Sequence, residues 1–283
     1  IVLIDGQQLT PTSFGEFDED SGVWKPIDVS GLTFGTNGYY LDFEDSSALG
    51  NDAAGSNNFT ANNLAAIDQS TDTCTNNFAT MNSLIPGQTN YTYSDGNLTI
   101  AQSGSAWVKS NSTIGMSSGK WYWEAKYVSG LYTVVGVDKT DTATPYPSTS
   151  SSAVGWKRNG NVEVATTPQT DIASYAHGDI VSVALDMDNG CVYFGKSGVW
   201  QNSGNPESGS SKTGAYSLPS FVASTPYFAT LSPYGSGATS VNFGNAPYSI
   251  TSGNSDENDI GNFEYTVPDG YFALCSKNLA EHG

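Results

Sequence analysis

The stretch GDIVSVALDMDNGCVYFGKSGVW, residues 178–200, decides the fold. In Val181-Ser182-Val183-Ala184-Leu185-Asp186, large apolar side chains alternate with small or polar ones. That is the period of two of a strand with two unlike faces. Asp188-Asn189-Gly190 carries turn chemistry, and Cys191–Gly195 reads as the returning strand. The same alternation runs through Trp121-Tyr122-Trp123-Glu124-Ala125-Lys126-Tyr127. Outward from these two, short strands are expected at Tyr39–Phe43, Ala106–Lys109, Lys120–Val128, Tyr132–Asp138, Ala153–Lys157, Asn161–Val164, Tyr227–Ser232, Thr239–Phe243 and Tyr271–Cys275. YTYSDGNLTI at 91–100 is a hairpin with Asp95-Gly96 at its turn. No segment of ten or more residues shows a sustained 3.6-residue period. Many short strands without helices imply an all-β, two-sheet antiparallel β-sandwich. Trp121, Trp123, Val135, Val183, Leu185 and Phe243 are its expected core, with only one of the two tryptophans turned fully inward.

Composition narrows the function. Of 283 residues, 13% are charged, and ten Lys and Arg against 28 Asp and Glu leave a net charge of −18. So acidic a surface repels phosphates, which disfavours nucleic acid as a partner and docking on anionic lipid. No apolar run is long enough for a membrane-spanning helix. Sixteen Tyr and six Trp mark a folded chain despite its polarity. Cys74, Cys191 and Cys275 are too few and too scattered for a disulfide framework, and read as small buried hydrophobes.

Residues 118–244 resemble the SPRY (B30.2-like) family. SGKWYWEAKY at 118–127 is similar to its opening strand, and Val135-Gly136-Val137-Asp138 and Val154-Gly155-Trp156 to its next two. Residues 178–200 resemble its most diagnostic stretch, with Lys196-Ser197-Gly198 where Asn-Gly is usual. Thr225-Pro226-Tyr227-Phe228 and Val241-Asn242-Phe243-Gly244 complete the set in order. The resemblance implies a concanavalin-like jelly roll that binds partners through loops at one end. Here those loops are 139–152, 201–217 and 232–238. The candidate ligand-binding residues carried over are Tyr146, Trp156, Pro233, Tyr234 and Gly235.

The flanks are similar to another group. Residues 35–82 and 265–279 resemble segments around SPRY-like modules in structural and fibre proteins of marine tailed bacteriophages. IVLIDGQQLTPTSFGE at the start resembles the last strand of a laminin-G-like module. The expected organisation is therefore 1–34 as the end of an upstream module plus a linker, 35–280 as one sandwich, and 281–283 as the start of a downstream linker. In it, Tyr39–Phe43 pairs with Tyr271–Cys275. Ile1–Ile4 are apolar and β-prone, so they are expected to pair with a strand of this chain or of a neighbouring copy.

Catalytic patterns are scarce. His177 is the one internal histidine, and it sits at a strand start rather than in a triad pattern. Asp186, Asp188 and Asn189 imitate a calcium loop but lack its closing Glu, so they read as a turn. Asp45, Asn51 and Asp52 are weak calcium candidates; no other cofactor is implied. The reading is a non-enzymatic structural or adhesion module of a phage fibre or appendage, located on the particle, that binds through its sandwich-end loops or serves as a spacer. Its expected partners are a host-surface glycan or protein, or neighbouring protomers of the same protein. A glycan hydrolase on the same type of sandwich is the alternative.

Overall fold

The computed structural model describes residues 1–17, 24–69, 72–73, 76–85, 90–107, 109–139 and 150–283. They fall into two units, Ile1–Asn77 and Phe78–Gly283. In the first, Val2–Leu3 pairs antiparallel with Tyr39–Tyr40, and Gly15–Phe17 with Trp24–Pro26. The apolar start thus has the strand partner it was expected to need. The Ile1 amino group donates to Leu41 O at 2.7 Å and Leu41 N donates back to Ile1 O at 2.9 Å.

The second unit is the sandwich. One sheet runs Thr167–Pro168, Val162–Val164, Val154–Lys157, Tyr132–Asp138, Phe228–Tyr234, Ser110–Asn111, each antiparallel to the next. The main path of the other runs Val199–Trp200, Cys191–Lys196, Ile180–Asp186, Lys120–Ser129, Ala238–Asn242, Thr99–Gln102, Tyr91–Ser94. Tyr132–Asp138 has the limits expected of it, and the alternating Val181–Asp186 lies within the strand Ile180–Asp186. Of the expected strand Ala106–Lys109, the described residues 106, 107 and 109 lie in no strand; the pairing residues are Ser110–Asn111.

Between the sheets lies a core that includes Trp121, Trp123, Tyr127, Val135, Trp156, Val183, Leu185, Phe194 and Phe243. Both Trp121 and Trp123 are fully buried in it, which corrects the expectation that they divide. Residues two apart on a strand share a face. The intervening Tyr122 faces the other way, into a second core with Ala184, Tyr193, Phe263, Tyr271 and Ala273. The larger sheet is thus packed on both faces.

The expected closing pair does not form. Tyr39–Tyr40 takes Val2–Leu3, and Phe272–Ala273 runs parallel to Trp121–Tyr122 instead. Two-residue strands carry too little pattern to specify a partner. Ser276–His282 is a helix that periodicity did not reveal, because seven residues make barely two turns.

Glu124 organises the second face. It is fully buried on the Tyr122 side of its strand. Its oxygens accept from Tyr265 N at 2.8 Å, Glu264 N at 3.0 Å, Tyr122 Oη at 3.0 Å and Asn242 Nδ2 at 3.3 Å. Burial outweighs these donors and pushes the carboxyl above its ordinary value of 4.5. The folded chain therefore holds this proton more tightly than the unfolded one. The stability Glu124 contributes is complete below pH 4.5 and is lost as pH rises through the folded value. A carbon-13 NMR titration of the Glu124 carboxyl is expected to show its midpoint above the free-glutamate range. A midpoint at or below that range contradicts this.

Candidate functional site

Antiparallel pairing sorts the connections by end. Tyr132 lies opposite Tyr234, and Asp138 opposite Phe228. Six residue steps of about 3.3 Å separate the two ends by roughly 20 Å. The connection after Asp138 departs from the end away from Tyr234. Tyr146 lies outside the described residues. Trp156, opposite Val135 in mid-sheet, is fully buried in the core, so its ring packs the sandwich and meets no ligand. Residues 201–217 return along the outer strand, where Tyr216 pairs with Val192. Asp138 and Tyr234, which the first and third of these loops follow, therefore lie at opposite ends of one sheet, not at a shared end as the resemblance implied. Pro233 is buried, while Tyr234 and Gly235 are half-buried at the end of their strand.

What surrounds Tyr234 was not expected. Its ring stacks on Trp107, with centroids 4.3 Å apart and planes at 17°. Trp107 also leans on Tyr132 at 6.0 Å. The Arg158 guanidinium carbon lies 5.4 Å from the Tyr132 ring centroid and 5.8 Å from that of Tyr127. Tyr127 in turn meets His177 edge-on at 4.5 Å. These residues form one continuous row at one end of the sandwich. Tyr132 is 39% exposed and the adjacent Leu131 59%. Single exposed apolar residues are ordinary, but a contiguous aromatic row is not.

The row is held stiffly. Gly130 and Leu131 make the turn between Lys120–Ser129 and Tyr132–Asp138. Gly130 O accepts from Tyr127 Oη and faces His177 Nε2 at 2.9 Å, while Leu131 O accepts from Arg158 Nη1 at 2.6 Å. Gly130 has φ +105°, and a Cβ there would lie 2.2 Å from Gly237 Cα in the neighbouring connection between the sheets. Glycine lets the two connections touch backbone to backbone.

A concavity of about 430 Å³ is lined by Trp200, Glu207, Asn254, Glu264, Tyr265 and Asp269. Donors from Thr251 and Ser252 hold the Glu264 carboxyl below its ordinary value.

The calcium candidates have other duties. Asp52 Oδ1 accepts from Tyr40 N at 2.9 Å and Ala54 N at 3.0 Å, and its Oδ2 from Asn57 N at 2.9 Å. Asp45 Oδ1 accepts from Ser47 N at 2.9 Å and Ser47 Oγ at 2.6 Å. These carboxylates shape the 45–58 loop. Among the described residues, no three or more His, Cys, Asp or Glu are grouped to hold a metal ion. The Asp186 run is the turn it was read as, with Asp186 accepting from Asn189 N at 2.9 Å and Nδ2 at 2.7 Å.

Residues 120–244, less than half of the chain, match the family model described as SPRY domain. The SPRY domain of human HERC1 is similar, at 18% identity over 54% of this chain and 92% of that one, with a TM-score of 0.43. The PSpry domain of TRIM65 is similar at 12% identity over 58% and 92%, also with a TM-score of 0.43. No curated protein matches the chain. SPRY domains are in general non-catalytic modules of protein interaction.

Proposed function

We propose that this chain is a non-catalytic adhesion module that holds a protein partner on the Trp107–Tyr132–Tyr234 end of its sandwich. The observation that carries the proposal is the grouping of three aromatic rings from three separate segments around one rigid turn. Rigid aromatic side chains supply contact area at low entropic cost. The setting belongs to the same proposal: a fibre or appendage of a phage particle, facing the host surface. Many copies on one particle turn a weak site into firm attachment. A glycan partner is the competing outcome.

Replacing Tyr132 and Tyr234 together by Ala is expected to reduce retention of the recombinant chain on host cells at least about tenfold, a loss of about 1.4 kcal/mol of contact. The cost to folding is expected to be about 1 kcal/mol, chiefly the lost stacking on Trp107. Retention that resists protease treatment of the cells but not deglycosylation moves the partner to a glycan. Unchanged retention in the double variant defeats the site.

The acidic, aromatic concavity favours a second reading, glycan hydrolysis by a pair of carboxylates. Such chemistry needs one carboxyl that keeps its proton, and hydrogen bonds hold Glu264 ionised. Glu124, whose carboxyl is raised, is fully buried and out of a substrate's reach. Release of reducing sugar from host polysaccharide, abolished by Glu264→Gln or Glu207→Gln, would establish this reading in place of the first.

A further inference from the structure

Arg158 is the only arginine among 283 residues. It stands beside the aromatic row, half-buried, at the turn after Val154–Lys157. Lys109, Lys157 and Lys196 each hold a carboxylate, of Asp138, Glu163 and Asp179 respectively. Among the described residues, Arg158 forms no ion pair. Its guanidinium is set instead between the Tyr127 and Tyr132 rings and steadied through Leu131 O. Its Nε is buried with no hydrogen-bond partner. An orphaned buried donor costs folding free energy. A protein with 28 acidic side chains that leaves its one guanidinium unneutralised presents it to something else.

We infer that Arg158 reads a carboxylate on the partner, and that the partner is a peptide segment carrying one Asp, Glu or C-terminal carboxylate beside an aromatic or aliphatic side chain. This deepens the binding reading above and rests on it. The chemistry follows from the row. A guanidinium fixed between aromatic faces keeps its planar donor fork in place, the geometry a carboxylate accepts. Tyr132 and Leu131, the most exposed apolar members, flank it and suit an adjoining apolar side chain. The net charge of −18 sets the limit of one carboxylate, because a uniformly acidic segment is repelled.

A single arginine also gives a single Nε–H resonance, an unambiguous reporter. The test titrates the ¹⁵N-labelled full chain with N-acetyl-Phe-Asp-amide and with its neutral twin N-acetyl-Phe-Asn-amide. The acid is expected to shift the Arg158 Nε–H signal and to bind at least about fivefold more tightly, the mark of a charge-assisted pair. Arg158→Gln is expected to equalise the two ligands. Arg158→Lys, which keeps the charge without the fork and guards against a folding artefact, is expected to leave about a twofold preference. Equal binding of both probes to the wild type overturns the carboxylate assignment while leaving the aromatic site standing. Tighter binding of methyl glucuronide than of the acid dipeptide overturns the peptide assignment. Binding of neither dipeptide overturns the inference, and the cell-retention assay then judges the aromatic site separately.

Discussion

Lys109→Met is expected to lower the unfolding free energy by about 3–5 kcal/mol, the typical result of removing one partner from a buried ion pair. Lys109 and Asp138 are both fully buried, and Nζ lies 2.5 Å from Oδ2. The substitution leaves the Asp138 carboxylate in the interior with no cation in the place of Lys109. Asp138 Oδ1 also accepts from Ser150 Oγ at 3.1 Å and Ser152 Oγ at 2.6 Å. The carboxylate thereby ties the end of Tyr132–Asp138 to the residues that lead into Val154–Lys157. Removing both charges, as Lys109→Met with Asp138→Leu, is expected to recover at least half of the loss, because no charge is then stranded. Urea denaturation of the three variants measures this. A single variant within 1 kcal/mol of the wild type contradicts it.

Gly130→Ala is expected to cost about 2–4 kcal/mol and to impair the aromatic site as well. The new Cβ meets Gly237 Cα at 2.2 Å, Gly237 N at 2.8 Å and Tyr234 O at 3.0 Å. All three are backbone atoms, so relief requires the two inter-sheet connections to part. Gly178→Ala is the matched control. Its φ is +91° with nothing within 4 Å of the added carbon, so it carries only the backbone strain, about 1–2 kcal/mol. Equal melting temperatures for the two variants would show that backbone contact is not what fixes the turn. In Gly130→Ala the Tyr234–Trp107 stack is expected to shift with the 235–237 connection, and loss of partner retention is expected beyond what stability explains.

The long strands were legible because each carries its own evidence. Val181–Asp186 alternates with period two and lies within the strand Ile180–Asp186, while Tyr132–Asp138 is rich in β-branched residues. Pairings between two-residue strands were not legible, since Tyr39–Tyr40 and Phe272–Ala273 hold no register information. The aromatic row was not legible for a related reason. Trp107, Tyr132, Arg158 and Tyr234 come from four places in the chain, and only sheet order brings them together. One clue was present: successive antiparallel strands turn at alternate ends. Counting from Tyr132–Asp138 to Val154–Lys157 assigns the connection after Asp138 to one end and Arg158-Asn159-Gly160 to the other. Tyr234 was correctly placed at a strand end, but its neighbours there could be found only with the register in hand.

Phe78 and Cys275 form an antiparallel bridge, and Ala79 N donates to Leu274 O at 2.9 Å. The first residues of the second unit are thereby clasped to the segment that leads into its last helix, Ser276–His282. The two partners stand near opposite ends of the unit's sequence, so closing the clasp carries the chain-closure cost of almost the whole unit.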